Sequence, residues 1–88
     1  MLWDAQTQTK FEQFISKIPV FHRAITREAV ARRAQELAAG RNASKIEEVD
    51  VVGAFFSDVP SPFYSMMIRL LEQTGFDYKR YGFPKNGR

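Results

Sequence analysis

The stretch Ile18-Pro19-Val20-Phe21-His22-Arg23, followed one helical turn later by Arg27, decides how the chain is divided. Proline lacks an amide N–H and disfavours helical backbone at the residue before it, so a helix arriving from upstream ends at Ile18. Phe21 reads as an apolar anchor between that helix and the next. Upstream, Thr7, Phe11, Phe14, Ile15 and Ile18 fall at helical spacing and predict a helix over 4–17, with Asp4 as N-cap and Trp3 folding back on the stripe. Downstream, Val30, Ala34, Leu37 and Ala38 predict a second helix from 23 or 26 to 39. Thr26 is its candidate N-cap, Gly40 its stop, and Glu28, Arg32 and Glu36 form a solvent-facing ladder of charges.

The remainder is also helical in pattern. Ser44-Lys45-Ile46-Glu47 has the capping-box form and predicts a third helix to about Ser57, with Val49, Val52, Phe55 or Phe56, and Val59 inward. Gly53 costs such a helix about 1 kcal/mol relative to alanine, which points to close packing. Val51-Val52 keeps a strand reading open for the same segment. Asp58-Val59-Pro60-Ser61-Pro62 breaks the chain. A fourth helix follows from Ser61 or Pro62 to Thr74, with Phe63, Met66, Met67, Leu70 and Leu71 as its apolar stripe. From Phe76 onward, aromatic residues alternate with Lys79, Arg80, Lys85 and Arg88, and the final Pro-Lys-Asn-Gly-Arg is expected to fray. The expected fold is all-α: one domain over residues 1–88, a compact bundle of four helices with the aromatic-basic tail laid across one side.

Composition narrows the function classes. The 88 residues are 44% hydrophobic and 26% charged, close to globular averages. Cysteine is absent, which excludes disulfides, thiolate catalysis, cysteine-held zinc and cysteine-ligated iron–sulfur clusters. With no apolar run near the length of a bilayer span and no secretory pattern, the expected location is cytoplasmic, without membrane attachment. The net charge of +3 permits an acidic partner without requiring one.

Chemistry-bearing residues are few. His22 is the single histidine and has no nucleophile or carboxylate at motif spacing, so it reads as a residue of the helix connection. Glu47, Glu48 and Asp50 are the densest carboxylates and are explained by the dipole of the third helix, so no metal site and no cofactor are expected. The Met66/Met67 face reads first as core and second as an adaptable partner groove. Arg23 and Arg27 carry the open question. On a helix continuous from 23 both share a face with Val30, Ala34 and Leu37, where charge is costly unless paired or at a rim. Snorkelling, or pairing with Asp4 or Asp58, is the structural explanation and the favoured one; recognition of an anionic group by guanidinium is the functional one.

Trp3-Asp4-Ala5, Ile18-Pro19 with Phe21 and Arg23, then Arg27, Ala34 and Glu36, and Ile46 and Val49 before a short helix together make a larger pattern. It resembles the small C-terminal domain of the B subunit of light-independent (dark-operative) protochlorophyllide reductase, which also occurs as free-standing short proteins. The likeness covers residues 3–56, leaving 57–88 as an additional helix and tail. The resemblance implies a helical accessory domain near a tetrapyrrole site in an oxidoreductase complex whose iron–sulfur clusters are supplied elsewhere, not an enzyme acting alone. The expected function is therefore a non-catalytic accessory or binding module. It would dock on a partner protein or bind an anionic planar ligand through Pro19, Phe21, Arg23 and Arg27. Two alternatives stand beside it: a nucleic-acid-binding basic protein, using tail aromatics to stack bases, and a structural homo-oligomer subunit.

Overall fold

The structure, a computed structural model, describes residues 1–84. Four α-helices form it: α1 Ala5–Ser16, α2 Val20–Gly40, α3 Glu48–Asp58 and α4 Tyr64–Gln73. Short 3-10 turns at Ser61–Phe63 and Tyr78–Tyr81 flank α4, and two-residue strands, β1 Leu2–Trp3 and β2 Lys45–Ile46, complete the order. The expected all-α bundle is thus the observed architecture. The last four residues of the terminal stretch expected to fray, 85–88, lie outside the described residues.

The most apolar helix sits at the centre. In α3, Val51, Val52, Ala54, Phe55 and Phe56 are all buried, together with Asp50, so apolar groups project from most of its circumference. A helix of that kind must be covered on several sides. From α1, Phe11 and Phe14 reach the fully buried ring of Phe55, with centroids 6.1 and 4.2 Å away. Phe76 meets the same ring edge-on at 6.2 Å. Phe56 takes Tyr64, Tyr78 and Phe83, the last stacked at 5.0 Å. The tail therefore lies on the core as expected, and Tyr78 donates to Glu72 Oε2 at 2.6 Å, which raises its pKa. Along α2, Val30, Ala34 and Ala38 are buried. Gly53 permits close approach: a Cβ there would come within 3.0 Å of Leu37 Cδ1.

Several local expectations are corrected. Helix α2 starts at Val20, directly after Pro19, and runs for 21 residues. Thr26 is inside it and caps nothing; Pro19, with φ −56°, supplies the start and its carbonyl accepts from the His22 amide at 2.9 Å. That early start puts Phe21 inside the helix. At about 100° per residue, Phe21 falls on the side opposite Val30 and Ala34. Phe21 is consequently 78% exposed, not a core anchor. The Glu28–Arg32–Glu36 ladder does not form; Arg33 instead reaches Glu36 at 3.2 Å and Asp58 at 3.0 Å. On α4, Met67 and Leu71 are buried, but Phe63 and Met66 of the same stripe are about half exposed.

The start of α3 differs most. Ser44 lies outside the helix, Lys45–Ile46 pairs in parallel with Leu2–Trp3, and Glu47 becomes the N-cap. The strand sits there, not at Val51-Val52. Asp50 does the capping: it accepts from the Glu47 amide at 2.9 Å and from Arg41 Nε and Nη2 at 2.8 and 2.7 Å. The pairing raises the pKa of Arg41. Asp50 is 2% exposed, so removing it strands a helix-terminal amide and a guanidinium at once. Asp50→Ala is expected to lose about 2–3 kcal/mol in urea denaturation, less than for a fully buried pair because Arg41 keeps contact with water.

Helix α1 begins as expected. Asp4 accepts from the Thr7 amide at 3.0 Å and from Thr7 Oγ1 at 2.9 Å, and Trp3 stacks on Phe11 at 5.0 Å. These hydrogen bonds, the backbone one first, hold the Asp4 pKa below its ordinary value. A carboxylate whose pKa is lower folded than unfolded stabilises above the unfolded value and loses that contribution as pH falls through the folded one. Asp4→Asn keeps a capping oxygen without the charge, and is expected to flatten the fall in thermal midpoint below about pH 4.

Candidate functional site

The four residues singled out in the sequence do not form one constellation. Arg23 is half-buried and turned toward α1, where its Nε donates to the Ile18 carbonyl at 2.9 Å and its Nη2 to the Ser16 carbonyl at 2.8 Å. Those carbonyls belong to the exit of α1, which has no basic residue in its own last turn. A guanidinium there satisfies acceptors that the helix leaves open. Arg27 pairs with Glu12 of α1 through both carboxylate oxygens. Neither Asp4 nor Asp58 is involved. Both arginines therefore fasten α2 to α1. Because the Arg27–Glu12 pair is about half exposed on each side, its contribution is small. Arg23→Ala is expected to lose about 1 kcal/mol in a urea melt. Arg27→Ala is expected to lose about 0.5 kcal/mol or less, and that difference should fade in 1 M salt.

Pro19 and Phe21 lead elsewhere. Pro19 lines an apolar groove of about 340 Å³ between the N-terminal half of α2 and the head of α4. The α2 wall carries His22, Ile25, Thr26 and Ala29. The α4 wall carries Phe63, Met66, Met67 and Leu70, so each wall has the spacing i, i+3, i+4, i+7 of a helix-packing stripe. Phe14, Ile18 and Val30 form part of the floor. Phe21 stands beside the α2 wall, its ring 4.4 Å from that of His22.

The groove leaves large apolar groups in water. Ile25 is 72% exposed, Phe63 53% and Met66 46%. With Val20 and Phe21, also exposed, they concentrate uncovered apolar surface around the start of α2 and of α4. Contiguous apolar surface of this kind marks an interaction site more often than a lone exposed leucine does. Asp58 also lines the groove, and its carboxylate accepts from Arg33 Nε of α2 and holds that guanidinium above its usual pKa. Among the described residues no group of three histidine or acidic side chains could hold a metal ion, and His22 faces the groove without a carboxylate hydrogen-bonded to it.

A second concavity lies on the other side of α3, beside Gly53, Phe56 and Phe83. It is bordered by the Arg41–Asp50 pair, whose hydrogen bonds are made within the fold.

A family model described as "Protein of unknown function (DUF2621)" matches residues 1–83. The chain belongs to the DUF2621 family. No curated protein and no solved structure matches it. The likeness to the protochlorophyllide reductase domain therefore rests on the sequence motifs alone. The DUF2621 match spans both groove walls and the tail as well as the 3–56 region of that likeness.

Sequence reasoning touched the groove at Pro19, and again at Met66 and Met67, where it weighed a partner face against core packing. The fold divides the two: Met67 is 2% exposed in the core, and Met66 stands at the groove edge. Phe63 carries no separate signal, because it belongs to a stripe that also suits burial, and Ile25 falls in none of the stripes read from the sequence.

Proposed function

We propose that this DUF2621 chain is a non-catalytic binding module that docks on a partner protein through the groove between α2 and α4. The observation that carries the reading is the pair of helix-spaced stripes lining one groove, one per wall, with Ile25, Phe63 and Met66 open to water. An accessory role of this kind is similar to the one implied by the resemblance to the protochlorophyllide reductase domain. Docking is favoured over capture of an anionic planar ligand, since Arg23 and Arg27 spend their donors on α1. Nucleic-acid stacking is disfavoured by the tail, where Phe76 and Tyr78 are buried and Tyr81 and Phe83 pack against the core.

The test is photo-crosslinking in cells that make the protein. Benzoylphenylalanine placed at Ile25 or Phe63 is expected to give one crosslinked partner, and the same group at exposed Gln8 of α1 to give none. Equal products from all three positions would defeat the proposal. So would a product of twice the chain mass alone, which would favour the homo-oligomer reading.

A further inference from the structure

We infer that the occupant of this groove is an acidic amphipathic helix, about three turns long, contributed by a different protein. The inference rests on the docking function proposed above and adds the shape and charge of the partner.

Shape comes from the walls. Four α2 residues and four residues at and after the head of α4 face one gap with the same i, i+3, i+4, i+7 spacing. That spacing is the seam one helix offers another, so two such seams across a shared gap make the seat of a third helix. Along α2 the lining runs from Pro19 to Val30, about 16 Å at the rise of an α-helix, which is three turns. A trough suits a rod better than it suits a bilayer, which would rest on the rims and leave the floor uncovered.

Charge comes from residues close in sequence to the lining. Lys17 precedes the lining pair Ile18 and Pro19, Arg32 lies one turn beyond Ala29, and Arg69 lies one turn beyond Met66. All three are exposed, and none makes an ion pair among the described residues. Against them, beside the α2 wall, stands Glu28, exposed and without an ion pair, three residues after Ile25. Asp58 lines the groove but is paired with Arg33. A helix with an apolar stripe flanked by carboxylates would meet an unpaired cation on each of the two helices that wall the groove. A second copy of this chain would bring the same unpaired cations and a net charge of +3 against its own kind.

The experiment uses the full chain and three synthetic fourteen-residue helical peptides. They share one stripe of leucines and differ only in the flanking residues, which are glutamate, glutamine or lysine. Binding is followed by fluorescence anisotropy at 50 mM salt, and the contact surface by amide shifts in NMR spectra. The glutamate peptide is expected to bind at least tenfold more tightly than the lysine peptide, with the difference shrinking as salt is raised. Ile25→Asp should abolish binding of all three. Lys17→Glu combined with Arg69→Glu should reverse the preference between glutamate and lysine; both positions are exposed, and circular dichroism verifies the fold. Equal binding of the three peptides would overturn the acidic partner and leave groove docking standing. Failure of every peptide to shift groove amides, with no crosslink from Ile25 or Phe63, would overturn both. Binding to phosphatidylserine vesicles but to no peptide would replace the helix with a lipid surface, and a mass that doubles with concentration would replace it with a second copy.

Discussion

Everything in this molecule depends on covering α3. Eleven residues long, it buries six of them and has at its middle the ring of Phe55, from which no surface is left to solvent. An aromatic side chain buried on that scale contributes several kcal/mol, a large share of the stability of so small a domain. The cover must come from the rest of the chain, and each part supplies aromatic or aliphatic groups: Phe11 and Phe14 from α1, Val30 and Ala34 from α2, Tyr64 and Leu71 around α4, and Phe76 and Tyr78 from the tail. The tail is thus a wall of the core.

Polar contacts then fix the angles at which this cover lies. Arg23 ties the exit of α1 to the first turn of α2, and Arg27 repeats the tie one turn on. Asp50 joins the end of α2, through Arg41, to the start of α3. Glu48 accepts from Lys10 Nζ at 2.8 Å and from the Asp77 amide at 2.7 Å, linking α1 and the tail across the same helix end. Arg33 and Asp58 join α2 to the far end of α3. These bonds are made where side chains reach helix termini and neighbouring charges, so they position elements more than they add stability. The groove is a consequence of that positioning. Helices α2 and α4 each lean on the central layer, and a gap remains between them that leaves Ile25, Phe63 and Met66 open to water.

The four helices were legible because their stripes have the period of a helix and their breaks are chemical: Pro19, Gly40, Pro60 and Gly75. Asp4 was legible as a cap for the same local reason. The two-residue strand pair was not, because Ile46 meets Trp3 across more than forty residues of chain and so brief a pairing has no periodicity of its own. The start of α2 was misplaced for a subtler reason. Pro19 both ends one helix and begins the next, and a start at Val20, not at residue 23 or 26, puts Phe21 on the helix and facing outward, while Val30 and Ala34 stay inside as expected. The candidate site suffered accordingly: of Pro19, Phe21, Arg23 and Arg27, only Pro19 lines the groove, while both arginines face α1.

By itself, then, the sequence determined that the chain is helical and where its helices break, and it favoured a tail laid on the core, since eight phenylalanines cannot all be left in water. Only the tertiary structure decided which apolar residues would be left uncovered. Met66 and Met67 are neighbours with the same side chain, and nothing local distinguishes them. What separates them is whether another helix lies within van der Waals reach, and that is set by where α2 and α4 come to rest on α3. Burial is a property of the assembled neighbours, while periodicity is a property of one strand of text; the groove lies in the difference between them.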